Sequence, residues 1–600
     1  MVRRACAHER CHDEDVHDEA SSPIATGNVA DVLSAAAVRA PRDAALIGAW
    51  GSRTWAELDA AAAAGAAELS RIPVGERVVL ALPNGLELAA ALFATLRAGL
   101  VAVPVDPERA DIRWVAQRVQ ARLVIADVPT EAVPDAEVTP PSRVGSWWDA
   151  EHAAGYDAAR GPSARTGEDV ALLARANRSG PPVMLSHRAI LAAAQVVAGA
   201  DPVALRPGDR VLQVLPLFHV VGLVTAFLPA ALAGAAVVVP DQDGGIGRAE
   251  AAVAAVRAHR VSVLPAEPTL YRQLDRIPGF ERALGTVRLM TSGSSSLDPA
   301  DFAAIRAATG QSVREGYGIS EAAGAVASTL MAPMARPGSA GLPYPGVEVR
   351  IGDAEDTAEE LEAAAEPDGP ENSVIPASEP PAAESNTDFT EGITDLVEVT
   401  GPGGEVGRIA IRGVTLFSGY WPDGHGGPDE DGWFETVDIG YLDDAGELHL
   451  VDRAVETITV AGFTVYPREV EDVLVEHPLV ADAAVVSVPG RGGPTVVAAL
   501  VARPGTRPTA DDVADFVAGS GLAPFKRPGD YLLVDVLPRT EVGRLDRTAV
   551  RRHYAEVRGI VLDEPAAVAG APTPLRRRLP GVSRSGGRRR GAHDTDEDLF

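Results

Sequence analysis

Apolar residues along this chain come in two alternating forms. Short β-branched runs, such as RVVLAL at 77–82 and AVVVP at 236–240, alternate with longer Ala/Leu stretches of helical spacing from about Asn28 onward. Strand period followed by helix period, repeated, predicts parallel α/β layers. Residues 352–398 break that rhythm with an acidic, Pro- and Ala-rich segment, expected to be a disordered insertion. The alternation resumes near Val406, and a compact unit is expected from Arg453 to Val557. Within it, GFTVYPREVEDVLVEHPLVADAAVVSVPG (462–490) has Val470, Val473 and Leu474 at helical spacing, then a buried strand from Ala483 to Val488. The boundaries that follow are a polar tail at 1–27, a large domain at 28–452, a small one at 453–557, and a second tail at 558–600.

Two stretches need closer reading. Residues 220–240, VVGLVTAFLPAALAGAAVVVP, carry no charge and are long enough to span a bilayer. Pro229 and the Gly222/Gly234 pair divide the run into an apolar helix and a β-branched strand, as in a buried α/β core, so no membrane span is expected. Residues 171–190, ALLARANRSGPPVMLSHRAI, read as a strand, a Gly/Pro-containing phosphate-gripping loop and a helix. Such loops offer glycine amides and a lysine ammonium to a polyphosphate, and this one has a single internal glycine, Gly180, and no lysine.

Composition narrows the function classes. With 600 residues and a net charge of -30, the chain is too long for one core and is repelled by nucleic acid and by anionic membranes. The 2 cysteines, Cys6 and Cys11, lie in the polar N-terminal tail, so no disulfide framework supports the fold and a reducing cytoplasm is expected. The tail cluster CAHERCH lacks a second ligand pair at zinc-site spacing and reads as solvated chain.

Candidate chemistry lies in several local motifs. REGYGISEAAG (314–324) puts an aromatic, a glycine, a hydroxyl and a carboxylate in one turn, where Tyr317 can stack on a base and Glu321 can hold Mg²⁺. VLPLFHVVGL (214–223) sets His219 among large apolar residues; a core histidine is the plain reading of it. TSGSSSLDP (291–299) ends a strand in small residues that allow a ligand close to the backbone, or simply turns before a helix. GWFETVDIGYL, VDRAVETITVAGFTVYPREVEDVL and LPRTEVGRLDR follow in that order.

In order and spacing these segments resemble the adenylate-forming superfamily of acyl-CoA synthetases, nonribosomal adenylation domains and luciferases, over residues 28–555. The resemblance implies an α/β fold with a large multi-subdomain N-terminal domain and a small mobile α+β C-terminal domain. It also implies ATP-dependent conversion of a carboxylic acid, fatty or aryl, to an acyl adenylate, then transfer to coenzyme A or a carrier-protein thiol, with Mg²⁺ as cofactor. Tyr317 and Gly318 are then expected at the adenine, Ser320 at a phosphate or carboxylate, and Glu321 at the magnesium. Asp438 takes the ribose hydroxyls and Arg453 the ribose or phosphate. His219 matches the gate of the acyl pocket, and Gly293, Ser294 and Ser295 its lining.

Four positions depart from the family pattern. Its loop, of the form YTSGTTGPPKGVMLSH, becomes ARANRSGPPVMLSH here, without the Lys-Gly pair and with Ser179 as the matching hydroxyl. The family's Thr-Gly-Asp is Thr436-Val437-Asp438, where a β-branched residue restricts the backbone. The hinge position is Val455. The catalytic Gly-Lys pair is Gly543-Arg544, and a forked guanidinium is not equivalent to a compact ammonium. Three readings stay open at this level: a working acid–CoA ligase, a degenerate adenylate-binding scaffold or regulator, and an enzyme of the thioester half-reaction alone.

Overall fold

The structure, a computed structural model, describes residues 27–562 apart from 109, 150–164, 175–180, 201–204, 242–246, 275–276, 294–296, 298, 353–399, 402–403, 454–457, 461–462, 491–492, 521, 523–525, 541–542 and 561. The expected N-terminal tail up to residue 26, nearly all of the acidic insertion, most of the C-terminal tail, and Ser179, Ser294, Ser295 and Val455 therefore lie outside the described residues.

The strand–helix alternation folds into two mainly parallel sheets. One is nine-stranded, and its parallel centre runs Val313–Tyr317, Leu289–Ser292, Val263–Ala266, Arg210–Leu212, Ala236–Val238, Ala44–Gly48. Antiparallel strands close both of its edges. The other sheet is six-stranded, with Arg77–Ala81 between Leu123–Ala126 and Val101–Pro104, all parallel. Strands such as Ala44–Gly48, Leu123–Ala126 and Val263–Ala266 are apolar rather than alternating, as expected where helices cover both faces, whereas Val313–Tyr317, next to the antiparallel edge, carries Arg314 and Glu315 and alternates. The helix Leu86–Arg97 illustrates the covering: Leu88, Leu92, Phe93 and Leu96 are fully buried. Each stabilises the fold by about 2 kcal/mol through lost apolar exposure.

The apolar 220–240 run resolves as its punctuation indicates. Helical turns fill Val220–Ala233, Gly234 ends them in a left-handed conformation at φ +74, and Ala236–Val238 enters the nine-stranded sheet between two parallel neighbours. Phe227 packs there against Trp55 and Phe93. Among the described residues no helix is long and apolar enough to cross a membrane.

The 171–190 stretch differs from the expected strand–loop–helix. Val183–Ser186 forms a second strand, antiparallel to Val170–Ala174, and the two pair as a hairpin. The helix His187–Ala198 begins only afterwards, with Ser186 accepting from the Ala189 N–H at 3.2 Å as its N-cap. Backbone polarity explains the difference: the strand Val101–Pro104 already covers one edge of Val170–Ala174, and VMLS satisfies the other.

A four-stranded antiparallel sheet, Val347–Ile351, Gly407–Gly413, Trp433–Leu442 and Leu448–Arg453, completes the large domain. Beyond it the chain forms a small α+β unit. The strands Val480–Gly490, Gly493–Ala502 and Tyr531–Val534 carry the helices Pro467–Glu476, Ala510–Gly519 and Arg547–Arg558. Val470 and Leu474 face its core and Val473 is partly buried against it, matching their helical spacing.

Candidate active site

The sequence motifs converge at the carboxyl ends of the parallel strands of the nine-stranded sheet, where open α/β sheets place ligands. Tyr317 ends one strand, and Gly293 follows the next one, Leu289–Ser292. Both line an apolar cavity whose walls include Leu215, Val221, Val263 and Leu289. His219 does not line that cavity. It stands two residues before Val221 as a helix N-cap, its Nδ1 accepting from the Val221 N–H at 3.3 Å, because a ring nitrogen next to a chain reversal satisfies an otherwise orphaned donor.

The REGYGISEAAG turn is tightly folded. A Cβ at Gly318 would lie 2.1 Å from the Gly324 carbonyl oxygen, so only glycine fits. Ala323 adopts a left-handed φ of +47 directly after the short helical turn Ser320–Ala322, a strain of about 1 kcal/mol held by its surroundings. This geometry buries Ser320 and Glu321.

Glu321 has a partner that local sequence reading did not find. The Tyr420 hydroxyl donates to Glu321 Oε1 at 2.9 Å, and the Phe417 N–H donates to the Glu321 carbonyl at 2.8 Å. The same segment grips the hairpin: Ser418 N–H donates to Met184 O, Met184 N–H to Gly419 O, and Trp421 N–H to Pro182 O, all within 3.0 Å. The candidate magnesium ligand and the exit of the 175–180 loop are thus tied to one short stretch of chain.

Tyr317 and Asp438, 121 residues apart, meet directly, the phenol donating to Oδ2 at 2.7 Å. Both are buried. Burial pushes the Tyr317 phenol well above its ordinary range and the Asp438 charge adds to this, while Thr436 and the Arg544 charge pull it back. The Thr436 hydroxyl accepts from the Asp438 N–H at 3.1 Å and lies 2.8 Å from the Ile409 carbonyl, fixing the strand that carries Asp438. Val437 between them projects outward and has no positive φ, so a β-branched residue fits this extended backbone without strain. Arg453 is Asp438's register partner on the neighbouring strand.

Arg544 arrives from the small domain. Its turn closes through Thr540 N–H to Arg544 O at 2.7 Å and Gly543 N–H to Thr540 O at 2.9 Å, with Gly543 at φ +76. A Cβ on Gly543 would stand 2.7 Å from Thr269 Oγ1 and 2.9 Å from Glu267 Cγ of the large domain. Glu267 is itself buried and held by Arg248, whose Nη1 lies 2.5 Å from Oε1. The glycine of the Gly543-Arg544 pair is therefore demanded twice, by backbone angle and by close approach.

The donor set suits one magnesium shared with a nucleotide. Glu321 offers hard carboxylate oxygens, and no group of three or more His, Cys, Asp or Glu poised for a metal occurs among the described residues. Magnesium commonly takes one or two carboxylates and fills its shell with phosphates and water.

The model of the AMP-binding enzyme family matches residues 33–172 and 182–365, and that of the AMP-binding enzyme C-terminal domain matches 469–544. This chain belongs to the AMP-binding enzyme family. The unmatched residues between the first two segments, 173–181, coincide with the loop that lacks the Lys-Gly pair. Among relatives, 4-coumarate--CoA ligase 5 of Oryza sativa subsp. japonica is 30% identical over 530 residues, covering 84% of this chain and 89% of the relative. The long-chain-fatty-acid--CoA ligase FadD13 of Mycobacterium tuberculosis is 26% identical over 525 residues, covering 84% and 93%. ATP-bound MatB from Rhodopseudomonas palustris has the same fold at a TM-score of 0.72 and 24% identity, over 88% of this chain and 99% of that one. The expected architecture, a large α/β domain with a smaller C-terminal one, is therefore that of this family.

Proposed function

We propose that this AMP-binding enzyme is an ATP-dependent acid–CoA ligase. In the first step a substrate carboxylate attacks the α-phosphorus of ATP, forming an acyl–O–P bond as the bond to the β-phosphate breaks and pyrophosphate leaves. In the second, the sulfur of coenzyme A attacks the acyl carbon, the C–O bond to the adenylate breaks, AMP leaves, and the thiol proton passes to solvent. The meeting of Tyr317, Asp438 and the Arg544 turn in one cleft carries this reading.

Within it, Asp438 accepts the ribose hydroxyls, Tyr317 covers the adenine, and Arg453 reaches the ribose or phosphate. Arg544 supplies the cation that meets charge developing between carboxylate and α-phosphate, a preorganised contact worth about 3 kcal/mol in comparable sites. Ser320 contacts a phosphate or carboxylate oxygen, and Glu321, held by Tyr420, supplies the protein ligand to Mg²⁺. Ser179 is the remaining hydroxyl of the loop. Gly293, Ser294 and Ser295 flank the acyl group, and His219, bonded to the Val221 N–H, stands at its gate.

The apolar cavity favours a fatty or aryl acid. Among the described residues its one lining cation is Arg314, whose Nη1 donates to the carbonyls of Thr329 and Ala332 at 2.7 and 3.2 Å, so this donor braces the wall. The relatives, a 4-coumarate--CoA ligase and a long-chain-fatty-acid--CoA ligase, support the same class. With both cysteines before residue 12 and no disulfide framework, a reducing cytoplasm suits the chain. Acid-dependent exchange of pyrophosphate into ATP, screened over short, medium, long and aromatic acids, tests the first step. Exchange with at least one fatty or aryl acid is expected; none with any acid overturns the proposal.

A further inference from the structure

The large-domain helix Pro268–Leu274 presents two side chains, Thr269 and Arg272, at a spacing that puts them on one face. Thr269 lies against Gly543, where a Cβ would come within 2.7 Å of its hydroxyl. Arg272 is engaged by both domains: its Nε lies 3.2 Å from Asp301 Oδ2 in the large domain, and its Nη1 lies 3.3 Å from Asp482 Oδ2 in the small domain. Asp482 accepts from Arg539 Nη2 at 2.6 Å, and Arg539 Nη1 donates to the Gly543 carbonyl at 3.1 Å. A continuous polar chain, Arg272–Asp482–Arg539–Gly543, therefore connects the large domain to the turn carrying Arg544.

The geometry points to Arg272 and Asp482 as an electrostatic latch that docks the small domain in the pose presenting Arg544 to the site. They are positioning residues for the first half-reaction, and the inference rests on the ligase reading given above. Three features make the arrangement suited to a latch. The four side chains of the cluster are each 23 to 29% exposed, wet enough for the contact to break and re-form without stranding a charge. Asp301 holds the Arg272 guanidinium in place when the small domain leaves, so little side-chain order is lost on re-docking. Arg539 does the same for Asp482 and, through the Gly543 carbonyl, fixes the angle at which the turn arrives.

The thioester step needs Arg544 withdrawn if the small domain alternates between two poses. Breaking the latch then selectively slows the step that requires docking. Removal of one partly exposed ion pair shifts a docking equilibrium by about fivefold.

The test uses the full chain with Arg272→Ala, and Arg272→Lys as the conservative variant. Two readouts are taken. The first is the distance distribution between spin labels on exposed Ala304 and Asp511, each replaced by cysteine, with Cys6 and Cys11 replaced by serine. The second is the rate of pyrophosphate exchange relative to thioester formation from presynthesised acyl adenylate. For Arg272→Ala we expect the docked distance component to fall by about fivefold and exchange to fall by a similar factor, with thioester formation within twofold of the parent. Arg272→Lys should recover part of both losses. The parent's docked fraction should also decline with added salt, more steeply than that of Arg272→Ala. An unchanged distance distribution in Arg272→Ala overturns the latch whether or not the protein turns over. An equal fall in both half-reactions overturns it as well. Absence of exchange by the parent, with the distance shift intact, instead counts against the ligase reading alone.

Discussion

Replacing Asp438 by alanine gives the sharpest view of the nucleotide end of the site. In the folded protein this carboxylate is 6% exposed and accepts the Tyr317 hydroxyl at 2.7 Å. Alanine strands a buried phenol, for which the usual cost is about 1–3 kcal/mol; Thr436 lies close enough to take part of the load, so a stability loss of about 1–2 kcal/mol is expected. Nucleotide binding loses more. Hydrogen bonds to a charged acceptor contribute about 1.5–3 kcal/mol each, and two ribose hydroxyls are at stake. Allowing for water that replaces the carboxylate, a net loss of about 3 kcal/mol corresponds to AMP binding weakened by about 150-fold. Isothermal titration with AMP measures this directly. Asp438→Asn, which keeps an acceptor but not the charge, should fall between alanine and the parent. If Asp438→Ala melts cooperatively and still binds AMP within threefold of the parent, the nucleotide does not sit on this carboxylate, and the roles given to Tyr317 and Asp438 are wrong together.

Further outcomes follow from particular contacts. Gly543→Ala should depress pyrophosphate exchange by more than tenfold while sparing thioester formation, since its Cβ collides with Thr269 and Glu267 only when the turn is docked; single-turnover assays of each half-reaction check this. Tyr420→Phe should raise the Mg²⁺ concentration needed for half-maximal exchange by about three- to tenfold, because Glu321 loses the hydroxyl that orients it. Gly318→Ala, meeting the Gly324 carbonyl oxygen at 2.1 Å, should cost about 3 kcal/mol or more in denaturant unfolding.

Two buried groups set opposing pH slopes. Burial pushes Glu315 up to about 7, so the folded state holds a proton that the unfolded state releases, and this contribution to stability is lost as pH rises from the ordinary carboxylate range through 7. Burial, with Arg165 nearby, pulls His187 down to about 4, so its contribution is present above the ordinary histidine range and is lost as pH falls toward 4. Glu315→Gln, which mimics the protonated form, should therefore stabilise the protein by about 2 kcal/mol at pH 8 and hardly at all at pH 4. Melts from pH 4 to 8 should show a steeper rise with pH in that variant than in the parent.

The layered fold was legible because its signals are local. Period and punctuation resolve residues 220–240 into helix and strand, and Val470 and Leu474 into a core-facing helix, without reference to the rest of the chain. The 171–190 stretch misled because VMLS, only four residues long, carries no period of its own; its strand is decided by an exposed neighbour edge. His219 shows the same limit, since its packing environment was readable from apolar neighbours but its capping of Val221 depends on a chain reversal. Tyr317, Glu321, Asp438 and Arg544 stood out as motif members, yet the contacts that position them are long-range. Tyr420 and Glu321 are 99 residues apart, and nothing near either one marks the other. Arg272 and Asp482 belong to different domains, 210 residues apart, and nothing in the local sequence of either marks the other. Val437, which looked restrictive beside Asp438, is harmless because the strand there is extended.

Mass-spectrometric detection of product when the unmodified protein is given ATP, Mg²⁺, coenzyme A and a panel of fatty and aryl acids tests the ligase activity itself. An acyl-CoA thioester is expected from at least one acid, formed together with one AMP per thioester and abolished without ATP. AMP binding of ordinary strength with no thioester from any acid would contradict the ligase reading, and would place the loss of function at the 173–181 loop, where the family match is interrupted.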